Sequence, residues 1–399
     1  MEFLRYRFEN FGYPPARSSV YPKLRSSDIR ISRRNDSYRS VFDSTNCAFY
    51  SKGRYALTAA LRGCDVRAND IVLLPAYHCR SMLDPILRLG ATPIFYHLRE
   101  DLSPCPHSIQ KLIDGNRKRS IRSLILTHFF GFTGSLDDAI GVCEVSGIAV
   151  IEDCSHTYFG SWNDKPIGSI GAFAIASPYK FFPCPDGGIL YATNTNSARP
   201  DRPNNVRDEL RSAWRLLCHP RTIQARSLTR LSGDFEEVSK ASVPKVADQF
   251  HQSEGYLSSG YDMDLEERSG LRISKAIIAS TDRRRLIELR RANYELWLKG
   301  VSGLRNCRPL FPNLDRDTVP YMFPLLVDDA NARFHWLKLL GVPLFRWDEL
   351  ASSGCTVSQN YRLRLLQFPC HQSLSDIELK WMMSAVAKVM NHPVPQNPR

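Results

Sequence analysis

An α/β fold on a mostly parallel sheet is predicted by two features of the chain. Short apolar runs alternate with segments of helical periodicity between Cys47 and about residue 195. Many of those runs are continuously apolar, as in strands covered on both faces. Glycines and prolines at the joints support the same division.

The elements follow in order. "GRYALTAALRGC" reads as a helix starting near Gly53. "DIVLLPAY" is a short buried strand stopped by Pro75, and "SMLDPILRLG" a helix with Gly90 as its C-cap. "TPIFYHL" and "IRSLILTHFF" are strands. "SLDDAIGVCEVSG" is a helix with Ser135 as N-cap and Gly147 as its stop. "IAVIEDC", "GAFAIAS" and "GGILYAT" are three further strands. Beyond them, residues 207–219 are amphipathic, basic and helical up to Pro220. One long or once-broken helix runs from about residue 264 to Gly300 as a connector. Strands "YMFPLLV" and "VPLFRW" and helices "ARFHWLKLLG" and "SDIELKWMMSAVAKVM" complete a small α+β unit. The expected organisation is a basic arm (residues 1–45), a large α/β domain (46–255), and a connecting helix with a small α+β domain (256–399).

Composition narrows the function. The 399 residues, 43% hydrophobic, suit a soluble protein with a sizeable core. No apolar run approaches the roughly 20 residues of a membrane span. The N-terminus lacks the apolar stretch of a secretory signal, so a cytoplasmic location is expected. Eleven cysteines fall singly, without a CxxC, which suits a reducing compartment and argues against structural zinc. The net charge of +12 concentrates around "RISRR" and between Ser197 and Arg230. Without zinc-finger spacing or an RNP-like motif, it reads as solvated basic surface rather than a nucleic-acid site.

In a parallel sheet, ligands bind beyond the C-terminal strand ends. Pro75–Cys79, His128, Glu152–His156 and Ser177–Lys180 all fall there, and Gly53–Ala56 opens a helix on the same side. Together these are the parts of a pyridoxal phosphate (PLP) site. Lys180 supplies the amine that bonds the cofactor, and Asp153 a carboxylate for the pyridine nitrogen. Gly53, Arg54 and Tyr55 supply a helix N-terminus for the phosphate. His156 is placed to hydrogen-bond the phenolic oxygen, whereas Glu152 reads as structural.

The same motifs resemble the DegT/StrS-type PLP-dependent nucleotide-sugar aminotransferases. They are "SKGRYALTAAL", "ANDIVLLPAYHCRSMLDPILRLGATPIF", "VIEDCSH", "SPYKFFPCPDGG" and "LLQFPCHQSLSDIEL", in that order. The resemblance implies the aspartate-aminotransferase-like fold (fold type I) and a homodimer. It also implies transfer of an amino group from a donor such as glutamate to a keto acceptor, such as a keto sugar nucleotide. A PLP enzyme of another reaction type, such as elimination, and a non-catalytic homologue are the alternatives; retention of Lys180 and Asp153 argues against the latter.

Three positions depart from the family. Its ring-stacking aromatic falls at Cys79, which makes His78 the candidate for that role. Its phosphate-binding serine falls at Ile175, which makes Ser177 the replacement. The asparagine lent by a partner subunit is not recognisable near "GYDMDLEERSG". Arg346 and His371 are placed near the cleft without an essential role.

Overall fold

The computed structural model describes residues 2–6, 12–28, 40–193, 198–218, 231–241, 243, 248–252, 257–347 and 349–394. The basic stretch "RISRR" and the basic residues from Arg221 to Arg230 lie outside the described residues.

Strand β1 (Glu2–Tyr6) comes first, followed by β2 (Ala48–Tyr50) and helix α1 (Gly53–Gly63). The chain then alternates through β3 (Ile71–Pro75), α2 (Arg80–Arg88), β4 (Thr92–Tyr96), α3 (Pro106–Gly115), β5 (Ile121–Thr127), α4 (Asp137–Val145) and β6 (Ala149–Asp153). A small hairpin, β7 (Ser161–Trp162) and β8 (Lys165–Pro166), precedes β9 (Phe173–Ala176) and β10 (Gly188–Ala192). Seven strands form one sheet in the order β2-β10-β9-β6-β5-β3-β4. The five from β9 to β4 are mutually parallel, and β10 and β2 extend the edge in antiparallel pairing.

The continuous apolar runs are explained by burial on both faces. In β3, Ile71 and Leu73 enter one core and Val72 and Leu74 the other; β5 and β9 divide the same way. Helices α1 and α2 cover one face through Leu57, Leu61, Leu83 and Ile86. Helices α3 and α4 supply Ile109, Ala139 and Cys143 to the opposite core. Strand side chains alternate with period 2, so a run buried on both sides has no polar position left to show.

The remainder comprises α5 (Val206–Cys218), α6 (Leu231–Ser239), β11 (Asp248–Gln252), α7 (Arg272–Ser280), α8 (Arg283–Val301), β12 (Cys307–Pro309), β13 (Met322–Val327), α9 (Ala330–Leu339), β14 (Glu349–Ala351), α10 (Thr356–Arg364), β15 (Leu365–Pro369) and α11 (Asp376–Asn391). An antiparallel sheet, β12-β13-β15, has α8 and α10 packed on it, and α11 packs on α8 and α9. β1 joins β11 and β14 in a third sheet.

The connector helix begins at Arg272 rather than near residue 264, and it is broken where Asp282 caps α8 by accepting from Arg285 N–H (3.2 Å). Ser375 opens α11 with a capping box closed by Glu378. Two further sequence expectations need correction. Helix α4 takes Leu136, not Ser135, as its N-cap, without a side-chain cap; Asp137 and Asp138 in its first turn complement the helix dipole instead. "VPLFRW" forms only an isolated bridge, Phe345 to Gln367, because its aromatics turn into a cavity rather than along a ladder. No described helix is long and apolar enough to cross a membrane.

Candidate active site

The strand ends converge on a cavity of about 400 Å3. Thr127, Asp153 and Ile175 sit side by side in register at the ends of β5, β6 and β9. All three line the cavity, with Lys180, His156, Ser177, Gly53 and Arg54.

The lysine is presented by a single 3-10 turn, Pro178–Lys180, directly after β9. Its ammonium lies over the Tyr321 ring, 5.4 Å from the centroid. Its backbone is fixed by Arg290, a fully buried residue of α8. The guanidinium donates to Lys180 O (2.7 Å), Phe181 O (3.4 Å), Pro320 O (3.1 Å), Tyr321 O (3.2 Å) and Gln372 Oε1 (3.0 Å). Arginine has five N–H donors, so each has an acceptor. Burial pushes the Arg290 pKa down to about 10, which leaves it charged at neutral pH. The cation thus locks the lysine turn against Tyr321.

Asp153 is buried, and its Oδ1 accepts from Ser155 N–H (2.9 Å), which holds the carboxylate at the strand end. His156 stacks on Tyr321 (4.5 Å) and on Phe130 (5.5 Å). Burial, then the charge of Lys180, hold its pKa well below the usual imidazole range. Its Nδ1 accepts from Phe130 N–H (3.4 Å), so the neutral ring carries its proton on Nε2.

The opening of α1 faces the same cavity. Lys52 at its N-cap supplies no side-chain cap, and the Tyr55 and Ala56 N–H groups both donate to Lys52 O. The N–H groups of Gly53 and Arg54 stand in the first turn, out of reach of the helix's own carbonyls. A Cβ on Gly53 would lie 2.3 Å from Ser177 Oγ, and one on Gly188 would lie 2.5 Å from Gly53 N. Only glycine therefore lets β10, the lysine turn and α1 meet so closely. Ser177 Oγ donates to Ser155 Oγ (3.1 Å), which adds two hydroxyls to the cradle. The Arg54 guanidinium is held by Ser81 Oγ (2.7 Å) and approaches Asp84 (3.5 Å).

Two expected residues lie elsewhere. The Tyr55 side chain is buried in the core, edge-on to Tyr261 (5.2 Å), with its hydroxyl accepting from Asp262 N–H. His78 is buried outside the cavity, stacked on Phe95 (4.8 Å). Its Nδ1 meets Ala76 O (3.1 Å) and its Nε2 accepts from Ala351 N–H (3.3 Å). Burial lowers its pKa to about 4. Cys79, not His78, faces the cavity, because α2 starts just after it and turns the His78 ring behind the strand. The Arg346 guanidinium lies over Phe334 (4.0 Å), while its neighbours Phe345 and Trp347 line the cavity.

Glu152 is structural. It accepts from the N–H groups of Gly168, Ile170 and Gly171 and pairs with His128 (3.0 Å). His128, Glu152 and Cys154 come within 4.8 Å of one another, but those bonds already occupy the carboxylate. Asp186, on the loop after Lys180, accepts from Leu271 N–H (3.1 Å) and Ser274 Oγ at the start of α7. Burial raises its pKa to about 6.

Residues 37–202 match the sequence profile of the DegT/DnrJ/EryC1/StrS aminotransferase family. The L-glutamine:scyllo-inosose aminotransferase of Streptomyces griseus is 25% identical over 158 residues, 39% of this chain and 36% of the relative. The match thus spans about a third of that relative's length. Among solved structures, a DegT DnrJ EryC1 StrS aminotransferase from Brucella abortus superimposes with a TM-score of 0.60 at 15% identity, over 87% of this chain and 86% of that one. Spr1654 from Streptococcus pneumoniae, solved in a PLP-form, gives 0.60 at 15% identity over 86% of each chain. The fold is that of these DegT-type proteins, fold type I, across nearly the whole chain.

Motif reading located the lysine turn, the β6 end and the opening of α1. It missed Tyr21, Thr127, Arg290, Tyr321 and Trp347. Only Thr127 had a signal to follow, since it ends the strand that His128 follows.

Proposed function

We propose that the protein is a PLP-dependent aminotransferase that moves an amino group from an amino acid to a polyhydroxylated ketone. The observation that carries the reading is a juxtaposition. One cavity holds the Lys180 amine, the buried Asp153 carboxylate and the uncapped start of α1. The site also fits PLP on an independent ground. Thr127 lines the cavity, and its buried Oγ1 has no hydrogen-bond partner among the described residues. A buried hydroxyl left so costs about 1–3 kcal/mol unless a ligand completes it.

PLP, when bound, supplies an electron sink for the carbon that exchanges nitrogen. In the proposed scheme Lys180 Nζ holds the cofactor covalently between turnovers. During turnover the same amine moves a proton from and to the substrate carbon, as general base and then acid. Asp153 holds a proton on the pyridine nitrogen. His156 donates from Nε2 to the phenolic oxygen. The N–H groups of Gly53 and Arg54, with the Ser177 hydroxyl, hold the phosphate. Tyr55 belongs to this group only as part of the helix. His78 supports β14 and α2 rather than the ring.

Glutamate is the expected donor, and similarity to the Streptomyces protein adds glutamine. The acceptor is a keto sugar, free or nucleotide-linked, or a keto cyclitol. A homodimer belongs to the same reading, and sedimentation tests it. The principal test is a spectral titration. PLP-loaded protein mixed with glutamate or glutamine should lose its cofactor band and release the matching 2-oxo acid. A protein that binds no PLP, or binds it and answers to no amino acid, refutes the reading.

A further inference from the structure

Residues 12–28 of the N-terminal arm are tied along the small unit. Tyr13 Oη pairs with His335 Nδ1 (3.0 Å), Arg17 N–H donates to Gly341 O (2.7 Å), and Ser18 Oγ donates to Glu378 Oε1 (2.7 Å). Around Tyr21 the attachment becomes a clasp. His371, which burial holds neutral with a pKa of about 3, donates from Nε2 to Ser19 O (3.0 Å). Its Nδ1 accepts from Ser373 Oγ (3.0 Å), and that oxygen accepts from Lys23 N–H (2.8 Å). Tyr21 is therefore pinned two residues to either side by one imidazole–hydroxyl pair.

The clasp delivers the Tyr21 side chain into the cavity wall, between Tyr179 (5.4 Å) and Phe345 (5.8 Å). Its phenol lies close enough to those of Tyr179 and Tyr321 for each to act on the others' titration. Lys180 is near enough for its charge to act on the Tyr21 phenol. Burial raises the pKa of all three phenols, so all are protonated at neutral pH. Protonated phenols offer both an O–H donor and lone pairs to a ligand.

The cavity wall around Tyr21 is mostly uncharged. Tyr21, Tyr179, Tyr321 and Gln367 supply uncharged polar groups, and Phe345 and Trp347 supply flat apolar faces. Trp347 is held by stacking on Tyr77 (4.9 Å). Hydroxyls on a ring pair with phenols and an amide, while its C–H faces pack on aromatics.

We propose that Tyr21 is a substrate-contacting residue that selects for a polyhydroxylated acceptor, and that the N-terminal arm serves to carry it there. The assignment rests on the aminotransferase reading above and deepens it.

The test uses the full-length, PLP-loaded protein and its Y21F variant, which keeps the ring and its packing. Thermal melts confirm that the variant folds. PLP affinity and the donor half-reaction with glutamate or glutamine are measured first; their absence in the wild type refutes the aminotransferase reading itself. With those in hand, each protein is titrated with scyllo-inosose as the polyhydroxylated probe and with 2-oxoglutarate as an acidic one. Loss of one neutral hydrogen bond predicts about a tenfold rise in KM for scyllo-inosose in Y21F, with PLP affinity retained and the KM for 2-oxoglutarate shifted less than about twofold. Equal shifts for both probes, no shift for either, or a wild type that takes 2-oxoglutarate and not scyllo-inosose overturns the assignment.

Discussion

Replacing Arg290 by Met removes the lock between the lysine turn and Tyr321, and the cost can be worked from its five acceptors. Phe181 O keeps the Gln372 Nε2 donor (2.8 Å), and Pro320 O keeps a weak thiol contact from Cys370 (3.8 Å). Lys180 O and Tyr321 O lose the guanidinium donor that reaches them in the buried core. Each stranded carbonyl costs about 1–3 kcal/mol, and Gln372 Oε1 adds a smaller amount. Against this stands the relief of no longer burying a cation, already visible in the pKa lowered to about 10. The balance predicts a destabilisation of about 3 kcal/mol for R290M. R290K should lose about half as much, because one ammonium offers only three donors. Urea unfolding of the PLP-free proteins gives the stability. The rate of PLP loading gives the effect on lysine placement, and both variants should be slower than wild type. An R290M protein within about 0.5 kcal/mol of wild type, the usual range for an inert surface change, refutes the argument.

Gly53→Ala should weaken PLP at least about tenfold by titration, because its Cβ displaces the Ser177 hydroxyl from the cradle; unchanged affinity would remove α1 from the phosphate site. Asp186→Asn tests a raised carboxylate pKa. The shift from 3.8 to about 6 opposes folding above pH 6 by about 3 kcal/mol, a cost that fades as pH falls toward 4. The variant should therefore be more stable than wild type at pH 8, and the gap should close by pH 4; a constant gap contradicts the assignment. His78→Ala should lower stability by about 2 kcal/mol, through the lost bond to Ala351 and the stack on Phe95, yet leave the spectrum of bound PLP unaltered. A shifted spectrum would return His78 to the ring.

Much of the large sheet was legible because its physics is local. The β3 run is apolar throughout, β5 and β6 are built on Leu124–Leu126 and Val150–Ile151, and Gly90 and Gly147 mark helix ends at φ +70° and +66°. The positions of Lys180 and Asp153 were legible because one follows a strand and the other ends one. Other features depend on contacts that no window contains. Tyr21 reaches Tyr321 across 300 residues of sequence, and Arg290 serves carbonyls about 30 and 110 residues away. Neither has a local pattern that distinguishes it from surface. His78 and Cys79 are adjacent, and which one faces the cavity is decided by where α2 begins.

The central claim is that Lys180 holds the cofactor opposite Asp153. Borohydride reduction of the PLP-loaded protein, then peptide mass mapping, tests it most directly. The account predicts the added cofactor mass on the peptide containing Lys180, and none in Lys180→Ala. Cofactor mass on another lysine, or normal turnover by Lys180→Ala, would contradict it.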